Sequence, residues 1–154
     1  MEDRLIFGEK EYEFLRELVR QGADFMIVGL SAAALQGAPV VTQDIDLWFR
    51  ELPDPGLEQA LRGVGGIYVP SSGSNPPMFA GRGLELFDIV THMHGIGEFE
   101  DEVENTIKVP LGRIKVMVLK LERIIESKKA AGREKDRQVL KVLSDSLKTI
   151  REQE

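Results

Sequence analysis

Apolar residues recur at helical spacing between Glu9 and Gln21, where Phe14, Leu15, Leu18 and Val19 form one stripe and Gly22 stops it. This predicts an amphipathic helix. Phe25-Met26-Ile27-Val28 is continuously apolar, too short for a helix and ended by Gly29, which predicts a buried strand. Ser31 opens Ala32-Ala33-Ala34-Leu35, a small-residue helix closed by Gly37, whose alanines let it lie close to a sheet. Asp44 to Arg50 alternates and is rich in Ile, Leu, Trp and Phe, as a strand requires. Pro53-Asp54-Pro55-Gly56 signals a turn, with a helix from Leu57 to Arg62 behind it.

The stretch from Pro70 to Gly83 reads as a long loop, of the kind that serves as a lid or binding loop. Strand character returns from Leu84 to Thr91, with a central strand expected there. Glu98 to Glu104 is acidic and expected to be exposed. Ile107-Lys108-Val109 and Ile114-Lys115-Val116 flank Pro110-Leu111-Gly112-Arg113 as a hairpin would. Two helices are predicted last, at about 118–130 and 134–150, separated by Ala131-Gly132. Strands and helices alternate first and helices cluster at the end, so the class is α/β or α+β with a helical C-terminal extension. No internal repeat is present.

Composition narrows the chemistry. The chain has 154 residues, 42% hydrophobic and 30% charged, with no cysteine and a net charge of −6. One domain over 1–154 is expected, with its core at about 9–116 and its C-terminal helices at about 118–150. Without cysteine there is neither a disulfide framework nor a thiolate metal site. No apolar run reaches the roughly 20 residues that span a bilayer, and Met1-Glu2-Asp3-Arg4 lacks the basic-then-apolar order of a leader. A cytoplasmic protein without membrane attachment is the expectation. The charge is unevenly placed: residues 1–119 carry 10 Lys and Arg against 19 Asp and Glu, whereas residues 120–154 carry 10 against 7.

The most informative stretch is Val28-Gly29-Leu30-Ser31 followed by Thr42-Gln43-Asp44-Ile45-Asp46-Leu47. Residues two apart on a strand share a face, so Asp44 and Asp46 present neighbouring carboxylates while Ile45 and Leu47 face the core. Two close carboxylates repel, and a hard divalent cation such as Mg²⁺ relieves the repulsion. The same pair also fits a strand whose first aspartate caps its start and whose second is exposed. Gly29 lets a ligand approach the backbone, and the helix start behind it offers free N–H groups and a serine hydroxyl, features that suit a phosphate. They equally suit a tight strand-to-helix turn with Ser31 as N-cap. Asp88, between Phe87 and Ile89, needs a partner in a central strand; a metal shared with Asp44 and Asp46 is the expected one, a strand-end hydrogen bond the alternative.

The order strand, Gly-x-Ser, helix, Thr-x-Asp-x-Asp strand and third-strand aspartate resembles the nucleotidyltransferase superfamily that includes DNA polymerase beta. Glu126 to Asp136, with Lys128, Arg133, Lys135 and Asp136, is similar to the Lys…Arg-x-Lys-Asp signature of small prokaryotic relatives, among them the AbiEii-type toxins of abortive-infection systems. The resemblance covers about residues 25–143 and implies a mixed sheet flanked by helices. It implies transfer of a nucleoside monophosphate from a nucleoside triphosphate to a hydroxyl of RNA or protein, with Mg²⁺ or Mn²⁺ as cofactor. On it, Asp44, Asp46 and Asp88 bind metal, and Asp88 helps deprotonate the acceptor. Gly29 and Ser31 hold the triphosphate and Lys128 contacts phosphate. Asp136 orients Lys128 or Arg133 or touches the nucleotide. Leu30 stands where relatives carry a small residue, and residues 36–41 are uncharged. Both departures favour an alternative, a fold kept for nucleotide or partner binding without turnover.

Other signals have simpler readings. Trp48 is expected in the core, pointing opposite to Asp46. His92 and His94 are expected to line the cleft or form hydrogen bonds rather than bind metal, since no third ligand accompanies them. So small a domain leaves room for a second copy, or a cognate partner protein, to cover an open cleft.

Overall fold

A computed structural model describes residues 8–154; the acidic Met1–Arg4 terminus lies outside the described residues. The chain is mixed α/β. Its elements run α1 (Glu9–Arg20), β1 (Phe25–Val28), α2 (Gly29–Leu35), β2 (Ile45–Phe49), α3 (Pro55–Val64), β3 (Ile67–Val69), β4 (Met78–Ala80), β5 (Phe87–Val90), α4 (Phe99–Glu102), β6 (Thr106–Leu111), β7 (Ile114–Leu119), α5 (Leu121–Ala131) and α6 (Glu134–Glu152), with a 3₁₀ turn at Val103–Asn105. Five strands form one mixed sheet in the order β5-β2-β1-β7-β6, and β3 and β4 pair separately. Strands β1 and β2 are antiparallel, β2 and β5 parallel, β1 and β7 parallel, and β6 and β7 antiparallel. Among the described residues no helix is long and apolar enough to cross a membrane.

Strand periodicity assigns the two faces of the sheet. Phe25 and Ile27 pair with Phe49 and Leu47 on one face, and Met26 and Val28 pair with Trp48 and Asp46 on the other. The first face carries an aromatic cluster in which the Phe14 ring of α1 meets Phe79 at 5.3 Å and Phe87 at 5.0 Å, edge to face. On the second face Trp48 is covered by Phe99, with ring centroids 5.6 Å apart. Trp48 is therefore core, as its composition suggested, but it shares the face of Asp46 rather than opposing it. Phe99, not orientation, seals it from the cleft.

Polar side chains set the element boundaries. Asp54 is 6% exposed; its Oδ1 accepts from the N–H of Leu57 at 2.9 Å, capping α3, and its Oδ2 accepts from the N–H of Asp24 at 3.1 Å. Gln36 donates to the carbonyls of Ala32 and Leu119 and accepts from the N–H of Leu121 at 2.9 Å, stitching the end of α2 to the junction of β7 and α5. Glu102 is 2% exposed and takes both prongs of the Arg123 guanidinium at 2.8 and 2.7 Å. Its oxygens also accept from the N–H of Gly97 and the amide of Asn105. These bonds hold the Glu102 carboxyl below its ordinary pKa, the Arg123 hydrogen bond contributing most.

Several expectations need correction. The long loop after Pro70 contains β4, which pairs with β3 so that Tyr68 opposes Phe79; three-residue strands are too short to show a period. The acidic stretch 98–104 is not simply exposed, because Phe99 and Glu102 are buried. Strand β5 is an edge strand, not a central one. Helix α2 begins at Gly29 rather than after Ser31, and β7 runs to Leu119, so α5 starts at Leu121.

Phe14 holds α1 against both β4 and β5. Phe14→Ala is expected to lower unfolding stability by about 3–5 kcal/mol, seen as a lower urea midpoint with an unchanged slope.

Candidate functional site

The cleft lies on the second face of the sheet, at the carboxyl end of β1 and the amino end of β2, and runs along β5 past Asp88 and Val90. Its volume is about 520 Å³, and its lining includes Gly29, Asp44, Asp46, Asp88, Lys128 and Asp136. Six of the seven residues singled out from the sequence thus meet in one place. The pairing of β2 with β5 sets Asp46 directly opposite Asp88. Ile45 and Leu47 are buried beside Asp46 as alternation predicted. Asp44 sits just before β2, exposed, with the Thr42 hydroxyl bridging its N–H and carbonyl at 3.2 Å each. Asp88 is exposed at the sheet edge rather than enclosed in a central strand, so its environment alone does not demand a counter-ion.

Electrostatics single out Asp46. Burial first, then the charges of Asp88 and Asp44, push its pKa from 3.8 up to about 6; Lys128 and Lys135 offset only part of this. Burial and the Asp44 charge also raise Asp88. The floor of the cleft is short of positive charge.

The Gly29–Ser31 turn builds the cradle of Asp46. Gly29 has φ +69°, and a Cβ there would overlap Oδ2 of Asp46, so glycine is required by both backbone and neighbour. Ser31 is fully buried; its hydroxyl donates to the Val28 carbonyl at 2.8 Å and accepts from the N–H of Asp46 at 3.1 Å. Ser31 therefore does not line the cleft. With its proton committed to Val28, it acts as a positioning residue for Asp46 in place of the triphosphate contact implied by the resemblance.

The opposite wall comes from α5 and the start of α6. Asp136 is fully buried. Lys128 Nζ donates to its Oδ1 at 3.3 Å; Arg133 Nε donates to its Oδ2 at 2.6 Å, and the Arg133 N–H adds a bond at 3.2 Å that caps α6. Burial works to raise the Asp136 pKa, but these bonds outweigh it and hold the group down at about 2. Asp136 is fully engaged in orienting Lys128 and Arg133. Lys128 keeps further donor capacity. Arg133 and Lys135, which belong to the Lys…Arg-x-Lys-Asp stretch, line the same cleft. Leu30 lines the cleft too.

All-oxygen donors at Asp44, Asp46 and Asp88, with an uncompensated charge at Asp46, fit a hard divalent cation. Among the described residues, however, no three His, Asp or Glu side chains are placed to hold a metal by themselves. Mg²⁺ commonly takes one or two carboxylates and completes its shell with water and substrate phosphate, so the fit is to a cation that arrives with its substrate. No protein-family model matches the chain, and no curated protein matches it.

Because the folded-state pKa of Asp46 lies above its unfolded value, its contribution is fully present below about pH 4 and lost as pH rises through about 6. Asp46→Asn is expected to stabilise the protein at pH 7.5 by up to about 2–3 kcal/mol, the gain shrinking towards pH 4 in thermal melts across that range. Ser31→Ala leaves the Asp46 N–H without its partner and is expected to cost about 1–3 kcal/mol in chemical denaturation.

Proposed function

We propose that the chain is a metal-dependent nucleotidyltransferase that moves a nucleoside monophosphate from a nucleoside triphosphate to a hydroxyl of RNA or protein. The observation that carries this reading is the pairing of Asp46 with Asp88 on adjacent strands, with Asp44 beside them, across one cleft from Lys128, Arg133 and Lys135. An acidic floor suits a cation and a basic wall suits phosphates, and a phosphorylated substrate is the ligand that needs both. The resemblance to the nucleotidyltransferase superfamily supports the same assignment.

Asp44 and Asp46 would hold Mg²⁺ or Mn²⁺, with Asp88 reaching the same space. The bound cation would neutralise phosphate charge and polarise the phosphoryl group. Lys128, aimed by Asp136, binds the phosphate chain together with Arg133 and Lys135. The acceptor oxygen forms a bond to the α-phosphorus and the α–β bridging P–O bond breaks. Pyrophosphate leaves with that electron pair, while the hydroxyl proton passes to Asp88, which stands opposite Asp46 and is open to the acceptor side of the cleft.

A second reading rests on Leu30 and Ser31. The leucine fills part of the wall beside Gly29, and the serine hydroxyl is committed inside the fold. Both favour a cleft that binds nucleotide, or completes a partner's site, without turnover.

Incubation of the full chain with each of the four α-labelled nucleoside triphosphates, Mg²⁺ or Mn²⁺, and RNA or lysate protein separates the two. Transfer of label, reduced at least 100-fold in Asp46→Ala and Asp88→Ala, is expected. Binding of nucleotide without transfer to any acceptor would overturn the enzyme in favour of the second reading.

A further inference from the structure

The chain that leaves β5 stays in the cleft. Asp88, Val90, His92 and His94, each two residues from the last, all line it, and Met93 between the histidines adds an edge to the same lining. Within β5 the step from Asp88 to Val90 advances about 6–7 Å along extended chain; His92 follows the strand and His94 opens a turn. A stripe therefore leads away from the carboxylates, beginning ionic and ending in an apolar residue and two imidazoles. The imidazoles are exposed, and their rings stand edge to face at 5.3 Å.

The segment that carries them is tied down from three directions. Met93 is buried beneath it. Gly95 has φ +72°, and a Cβ there would overlap that of Ala130, so the segment rests directly on α5. Gly97 donates its N–H to Glu102 at 2.8 Å, and Glu102 is gripped by Arg123, also on α5. None of these anchors uses His92 or His94. The histidines have no third ligand for a transition metal among the described residues.

We propose that Val90, His92 and His94 form the seat of a nucleobase, on which a heteroaromatic ring stacks while its phosphates lie between the carboxylates and Lys128. The proposal rests on the nucleotide reading of the cleft and adds where the ring lies. Imidazole faces stack on bases as other aromatic side chains do, and Val90 beside them offers apolar contact that suits a ring and not a phosphate.

The test compares a ligand that has a base with one that lacks it. Calorimetric titrations in Mg²⁺ measure binding of ATP, of the other three nucleoside triphosphates and of inorganic tripolyphosphate to the full chain and to His92→Ala/His94→Ala. The double variant is expected to bind at least one triphosphate roughly 5- to 100-fold more weakly and tripolyphosphate as the wild type does. His92→Phe/His94→Phe is expected to restore most of the loss, because it keeps the stacking surface without the imidazole. Equal loss for triphosphate and tripolyphosphate, no loss for either, or failure of the Phe variant to restore binding would each overturn the base seat. If the unmodified chain binds neither a triphosphate nor tripolyphosphate, the nucleotide reading fails and the base seat falls with it; if it binds both, only the base seat is at stake.

Discussion

Like charges on paired strands repel, and the central feature of this molecule is that β2 and β5 bring two carboxylates into register on the floor of a cleft. The repulsion is worsened by burial on the Asp46 side, so that group holds its proton to about pH 6. Much of the surrounding structure can be understood as fixing that arrangement. Gly29 clears the volume that Oδ2 of Asp46 occupies, and Ser31 holds its backbone. Replacing either would leave the fold's hydrophobic face intact but loosen the carboxylate. That separation between what folds the sheet and what aims the charge is why the two faces of β2 differ.

Helices α5 and α6 close the opposite side, and their placement depends on buried polar bonds as well as on apolar packing. Gln36 ties α2 to the start of α5, and Glu102 ties α4 and the 91–97 segment to its first turns. A buried ion pair such as Glu102–Arg123 contributes little net stability against an apolar pair of the same shape, since desolvation offsets most of its attraction. It does specify geometry, because a bidentate pair has one good arrangement. Asp136 does the same further along, accepting from Lys128 and Arg133 so that two cations with long flexible stems face the cleft in defined positions.

Elements with a strong period and clear terminators were legible from the chain. Helix α1, β1, the β6–β7 hairpin and α6 lie within a few residues of the expected bounds, since each carries its own apolar pattern and a glycine marks one of its bounds: Gly22 after α1, Gly29 after β1, Gly112 in the hairpin turn and Gly132 ahead of α6. Strands β3 and β4 were not legible. Three residues hold no measurable period, and what makes them strands is their pairing across an eight-residue connection. The rank of β5 as an edge strand was equally hidden, because its apolar sequence reflects packing of Phe87 against Phe14 rather than a neighbour on each side. Glu102 looked like surface acidity, since its partner lies 21 residues away and nothing local announces it.

The site divides along the same line. By itself the sequence determined that Asp46 and Asp88 lie on strands with Asp44 at a strand start, that a helix starts behind the strand ending at Val28, and that Lys128 and Asp136 belong to a basic helical tail, because spacing along one element sets which face a residue occupies. Only the tertiary structure decided that these elements share a cleft, that Ser31 turns inward to Asp46, that Phe99 shuts Trp48 away and that His92 and His94 extend the line of Asp88. Those outcomes depend on strand order and on which element covers which face. Both are set by contacts between residues far apart in the chain, which no local period can encode.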